Sequence, residues 1–384
     1  MIPNLTKLRF LDGLPTDAGP GEASAKLSEQ VIRELFGEIA NYLNIADLVA
    51  ALALNKEASS YALPLLQSKL PTLIGLMAAP FALKSSQIVF LEKLDLSVIL
   101  WKQPGSITNM ATFAAAISIG ALPFLRELDL KDSYFGFEGM KVFSEAIGNK
   151  ALPLLEVLTL KRCNVGDEGM EVFSAAIGKG ALKSLQTLNL DYIDLENGGM
   201  EAFSAAIGKG ALPLLRELNL SNNDVGKEGM EAFSEAIGEG KLQRMQNLNL
   251  ESNYFGKEGM RAFSAAIGEG ALPLLKTLDL SYNQLEKEGM EAFSAAIDKG
   301  ALPKLKTLNL SHNQLEKEGM EAFSAAIGNG ALPLLETLDL SHNQLGKEGM
   351  EAFSAAIRKR DTAKAAESQS RVQLFWKGGD EVLF

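Results

Sequence analysis

ALPLLRELNLSNNDVGKEGMEAFSEAIGEG, residues Ala211–Gly240, decides the fold, because near-copies of it fill residues 121–360 eight times over without an insertion. Self-similarity at a fixed period outranks local propensity, since each copy is one structural unit. In the first half, Leu215, Leu218 and Leu220 lead to Asn223 and Val225 in the pattern L-x-x-L-x-L-x-x-N-x-V. Leu218 and Leu220 alternate with polar residues, which predicts a short strand with one buried face. Asn223 sits where that strand ends, and its side chain can bond the backbone of the bend. In the second half, Met230, Phe233, Ala236 and Ile237 recur at helical steps and form one apolar stripe. Gly238 is expected to close the helix at positive φ, and Pro213 to stop the preceding helix from continuing.

One strand and one helix cannot bury their own apolar faces, but stacked copies share a continuous core. The expected fold class is therefore α/β, a solenoid with parallel strands on one wall and helices on the other. With the strand motif followed by Gly226-Lys227-Glu228-Gly229 and a full helix, the copies resemble the ribonuclease-inhibitor class of leucine-rich repeat. That resemblance implies a curved horseshoe, with strands on the concave face and helices on the convex one.

Around the eight copies (121–360) the sequence divides into a lead-in segment (1–27), a helical segment (28–80), a divergent first repeat (81–120) and a C-terminal cap or tail (361–384). The first repeat carries Leu91, Leu94 and Leu96 for the strand and Met110, Phe113 and Ile117 for the helix. Leu91 to Leu125 is 34 residues where later steps are 30, which predicts a longer strand-to-helix loop around Lys102 to Thr108. Past Arg360, a polar helix tail and linker precede Val372, Leu374 and Trp376, which alternate as a strand would. In 28–80, Val31, Leu35, Ile39 and Leu43 fall at four-residue steps, and Asp47 can cap a second helix.

The string VIRELFGEIANYLNIADLVALALNKEAS resembles an F-box, the helical module that docks onto the Skp adaptor of cullin-type ubiquitin ligases. The resemblance implies adaptor contacts through Ile32, Leu35, Phe36, Ile39, Leu43 and Leu48, within residues 28–69. An alternative is that these helices only cap the exposed apolar end of the solenoid, as terminal repeats require.

A formal charge of −11 argues against a nucleic-acid partner. The sequence contains no apolar run near the ~20 residues that span a bilayer, and the N-terminus lacks the features of a signal peptide. A single cysteine, Cys163, cannot form an intramolecular disulfide, which favours an intracellular setting, cytoplasmic or nuclear. Cys163 stands at the turn position held by Asn in later copies and is expected to be a buried structural thiol.

No catalytic constellation or cofactor motif is visible, and the expectation is a non-enzymatic protein without cofactor. The glycines recur at caps and turns, and the recurrent Glu of the first helical turn suits the helix dipole. His312 and His342, one repeat apart, come near enough to share a metal ion, but a stable site needs three or four ligands and none is assigned.

The remaining signal lies in the exposed positions around each strand. The last three copies are almost identical, while the first five diverge there and keep their leucines. Divergence on one face over a fixed core is the trace of a binding surface, and Tyr and Arg are common interface anchors; neutral drift after duplication leaves a similar trace. The candidate protein-binding residues are Arg126, Lys131, Asp132, Lys161, Arg162, Asp191, Tyr192, Asn222, Glu251, Tyr254, Tyr282 and His312, centred on Arg126, Lys131, Arg162, Tyr192 and Tyr254. Ile193 replaces the turn Asn and Gly198 the helix-start Glu, which predicts a distorted turn open to a partner.

Three functional readings follow: an F-box-type substrate receptor of a ubiquitin ligase, a scaffold or fixed subunit of a larger assembly, and a GTPase regulator resembling the Ran GTPase-activating proteins. The last fits least, because this chain has neither the acidic C-terminal tail nor the irregular repeats of those proteins. Ribonuclease inhibition would imply a cysteine-rich chain.

Overall fold

The structure, a computed structural model, describes residues 92–96, 106–118, 122–365 and 373–375. The chain divides into two units, Met1–Lys69 and Leu70–Phe384, and all of these residues belong to the second. The lead-in segment, the whole 28–80 segment with the F-box-like positions Ile32, Leu35, Phe36, Ile39, Leu43 and Leu48, and residues 81–91 lie outside the described residues, as do Val372 and Trp376.

Strands and helices alternate strictly. In order they are β1 (Lys93–Asp95), α1 (Ser106–Ser118), β2 (Glu127–Asp129), α2 (Gly136–Gly148), β3 (Val157–Thr159), α3 (Gly166–Gly178), β4 (Thr187–Asn189), α4 (Asn197–Gly208), β5 (Glu217–Asn219), α5 (Lys227–Gly238), β6 (Asn247–Asn249), α6 (Gly256–Gly268), β7 (Thr277–Asp279), α7 (Glu286–Asp298), β8 (Thr307–Asn309), α8 (Glu316–Gly328), β9 (Thr337–Asp339), α9 (Gly346–Ala365) and β10 (Gln373–Phe375). All ten strands form one parallel sheet in sequence order. The result is an α/β leucine-rich-repeat solenoid. Leu128 faces Leu158, which faces Leu188, so the 30-residue period becomes an in-register column of leucines. Leu94 faces Leu128, 34 residues on, so the longer first repeat takes up its extra length outside the strand pairing. Ser106, Ile107 and Thr108, expected in that longer loop, are the first turn of α1.

Each repeat buries its strand leucines and its helical Met, Phe, Ala and Ile; in the fourth copy Leu218, Leu220, Met230, Phe233 and Ile237 are all 2% exposed or less. At roughly 1.5–3 kcal/mol per large side chain, these layers are the principal source of stability. The glycine of the E-G-M motif sets how closely helices approach. A Cβ at Gly259 would lie 2.6 Å from the Cβ of Phe255 and 3.1 Å from that of Met230 on the preceding helix.

The turn asparagine does more than bend the chain. Asn283 Nδ2 donates to its own Leu280 and Ser281 carbonyls at 3.1 and 3.0 Å and to Leu250 of the preceding repeat at 2.8 Å. Its Oδ1 accepts the N–H of Asn253, 3.1 Å away. Asn223, Asn253, Asn313 and Asn343 repeat the donor pattern, giving a buried ladder in which each copy clamps the one before it. Cys163 substitutes with one donor, its thiol lying 3.0 Å from the Leu130 carbonyl. The thiol is fully buried, and burial pushes its pKa up, as expected of a structural cysteine.

Two expectations are corrected. The positive-φ glycine is not Gly238, which ends α5 in helical conformation, but Gly240 at φ 71, two residues later. The turn at Ile193 is not distorted: Tyr192 and Asp194 keep φ of 55 and 61, Ile193 is buried, and its N–H is held by Asn223 Oδ1. The irregularity lies after it, where Glu196 is extended and α4 starts one residue late, and the next copy repeats this at Gly226. The cause is the residue one repeat earlier. Asp167 Oδ1 accepts the Glu196 N–H at 2.8 Å, and Asn197 Oδ1 accepts those of Gly226 and Gly229 at 2.8 and 3.1 Å. Other copies carry Phe137 or Lys there, and their corresponding N–H groups turn to a backbone carbonyl of the following repeat, as Gly256 does to Asn283. Among the described residues no helix is long and apolar enough to cross a membrane.

Candidate protein-binding face

Strand alternation sends leucines inward and the residues between and beside them outward. At the centre of the sheet, Thr187, Asn189, Glu217, Asn219, Asn247, Asn249, Thr277 and Asp279 line a shallow cavity of about 310 Å³ across β4 to β7. Sequence reasoning missed this row. It looked to the positions at the strand ends, although the polar residues inside each L-x-L were the direct signal. The Asn or Asp that ends β2 and each of β4 to β9 also accepts a backbone N–H two residues on, as Asn219 Oδ1 does from Ser221 at 2.9 Å. Its remaining polar atoms stay on the open face.

The candidate residues occupy the two ends of the strands. Arg126 precedes β2 and pairs with Glu156 of the next copy. Lys131, Asp132, Lys161, Arg162, Asp191, Tyr192, Asn222 and Glu251 follow strand ends on the opposite border of the sheet. Most of their charges are already used within the protein. Lys161 Nζ lies 2.5 Å from Asp191 Oδ2, Asn222 Nδ2 donates to Asp191 Oδ1 at 3.0 Å, and Arg162 lies 3.7 Å from Asp132. Lys131 Nζ lies 4.0 Å from Asp132. The Arg162 guanidinium also sits over the Tyr192 ring, 5.8 Å from its centre.

Four tyrosines stand out along this border: Tyr134, Tyr192, Tyr254 and Tyr282, between 46% and 60% exposed. Tyr282 stacks on His312 at 4.0 Å, and His312 on His342 at 4.1 Å, with rings within 18° of parallel. Stacked imidazoles aim their lone pairs side by side rather than at a common point, so the pair does not converge on one metal ion. Burial and the neighbouring His342 charge push the His312 pKa down, partly opposed by Asp339. Glu251 is shifted the other way: burial and the nearby Asp279 push its carboxyl up.

A sequence model of the leucine-rich repeat family matches residues 151–174, 211–234, 271–294, 301–324 and 331–354. No curated protein matches the chain. Solved structures similar to it include an internalin (inlF) from Listeria monocytogenes, at 16% identity and a TM-score of 0.38, covering 81% of this chain and 95% of that one. TLR13, solved in complex with ssRNA13, is similar at 18% identity and a TM-score of 0.34, covering 69% of this chain. This chain spans 38% of the length of the TLR13 chain. Five copies match the leucine-rich-repeat model in sequence, and every described strand stands in one parallel ladder, so the fold is that of a leucine-rich-repeat solenoid.

Proposed function

We propose that this protein is a non-catalytic interaction module whose strand face and its turn border bind a protein partner. The observation that supports the reading most is the open sheet face, polar and uncovered on one side while helices cover the other. Leucine-rich repeats generally serve protein–protein interaction, and the full helix in each copy fits the ribonuclease-inhibitor class. The twelve candidate residues border this face at the two ends of the strands, and the proposed contact surface is built around Arg126, Lys131, Arg162, Tyr192 and Tyr254.

The finer reading is that residues 28–69 bind a Skp-type adaptor and the strand face recruits a target for ubiquitylation; it rests on the F-box-like string alone. A fixed subunit of another assembly is the alternative. Affinity purification of the tagged chain from its native cell, repeated with Thr187→Arg plus Thr277→Arg on the open face, tests both levels. The expected result is loss of a stoichiometric partner from the double variant and retention in the helix-face control Glu321→Lys. A partner retained by both variants overturns the face assignment. Recovery of an adaptor and a cullin, abolished by Leu35→Asp with Ile39→Asp, supports the ligase reading, and their absence beside another complex supports the scaffold.

A further inference from the structure

The turn border changes character between its first two copies and the next three. In the first two, cations stand beside the acids: Arg162 of copy two lies near Asp132 of copy one, and Lys161 of copy two crosses to Asp191 of copy three. In copies three to five, Asp194, Asp224 and Glu251 have no ion-pair partner among the described residues, and Asp194 and Asp224 are exposed. The Asp224 N–H bonds the Leu195 carbonyl at 2.8 Å, and the Tyr254 N–H bonds the Val225 carbonyl at 3.0 Å, so these turns sit side by side. Equivalent positions on neighbouring parallel strands are about 5 Å apart. Asp194, Asp224 and Tyr254 therefore form one row, ending in a phenol ring that is 60% exposed.

The molecule shows once what such a row accepts. Arg162 lays its guanidinium over Tyr192 while its Nη1 faces Asp132, combining a ring face with a carboxylate. Tyr254 offers a second ring and has no cation of its own among the described residues. Arginine suits this better than lysine, because a planar guanidinium stacks on a ring and forks to a carboxylate at once.

We propose that the turn border of copies three to five docks an arginine side chain in an extended segment of a protein partner, its guanidinium on Tyr254 and against Asp224, with Asp194 continuing the negative row one copy further. This rests on the protein-binding reading above and names the partner's chemistry.

The test is fluorescence anisotropy with the full chain and three labelled peptides of identical sequence carrying arginine, lysine or citrulline at two positions. Binding of the arginine peptide that weakens with salt is expected, with a several-fold loss for lysine and at least a tenfold loss for the neutral, isosteric citrulline. Asp194→Asn with Asp224→Asn, and separately Tyr254→Ala, should each weaken the arginine peptide about tenfold. Glu321→Gln on the helix face should leave it unchanged. Equal affinity for the arginine and citrulline peptides overturns the proposal, as do an equal effect of Glu321→Gln and the absence of arginine-peptide binding at millimolar concentration. If the native partner is still lost from the Thr187→Arg, Thr277→Arg variant in any of those cases, the protein-binding reading stands and only the arginine assignment falls.

Discussion

Replacing Asn283 with alanine isolates the contribution of the asparagine ladder. Asn283 is fully buried, and its amide serves three carbonyls, those of Leu250, Leu280 and Ser281, while its oxygen holds the Asn253 N–H. Two N–H protons shared over three carbonyls amount to two or three effective bonds, and one further donor loses its acceptor. Each buried polar group left unpaired costs about 1–3 kcal/mol, so Asn283→Ala should cost roughly 3–6 kcal/mol after partial rearrangement. A repeat array does not unfold as one unit, so a single global free energy is the wrong readout. Native-state hydrogen exchange is the appropriate one. Protection should fall by that amount in peptides covering β6 to β8 and much less around β2 and β3. Asn283→Cys, which restores one donor as Cys163 does, should recover about 1 kcal/mol. A loss below about 1 kcal/mol for the alanine variant, or one spread evenly over all copies, would refute the claim that the ladder clamps neighbouring copies.

Two of the three glycines of α6 should respond differently to alanine. Gly259→Ala forces a Cβ to 2.6 Å from Phe255 Cβ and should lower thermal stability by about 1–3 kcal/mol, whereas Gly268→Ala meets only Ala296 at 3.7 Å and should be neutral to stabilising in a melting experiment. Glu251→Gln should raise the melting temperature at pH 7. Its raised native pKa means that the ionised form opposes folding, and the advantage should shrink as pH falls through that pKa towards the ordinary carboxylate value. The chain has two histidines, so an NMR titration reads the stack directly. His312 should titrate below its ordinary value, stability should decline as pH falls through that ordinary value, and His342→Ala should raise the His312 pKa.

The period, the leucine register and the Met-Phe-Ile stripe were legible because each is a spacing repeated eight times, and spacing dictates which side chains share a face. The role of the turn asparagine was half legible: its own bend could be read, but the bonds into the preceding copy join residues 30 or 33 apart. Ile193 and Gly198 point to a distorted turn within their own copy, where the structure has instead a late start of α4. The deciding residue was Asp167, a short acceptor one copy earlier where most copies have lysine. For the candidate face, comparison of copies found the exposed residues but not their mutual pairing. That Arg126 is held by Glu156, and Lys161 by Asp191, depends on side-chain reach between copies, which a list of substitutions does not carry.

The ladder has a direction, and that gives it a consequence in time. Asn283 reaches back to Leu250 and to the Asn253 N–H, so the turn of each copy is completed only by the asparagine of the next. A ribosome delivers the earlier copy first. At about 5–20 residues per second, the following 30 residues take roughly 1.5–6 s to appear. During synthesis the newest copy therefore waits, its polar backbone groups still hydrated, until its successor emerges and dehydrates them. The growing chain closes behind itself one copy at a time.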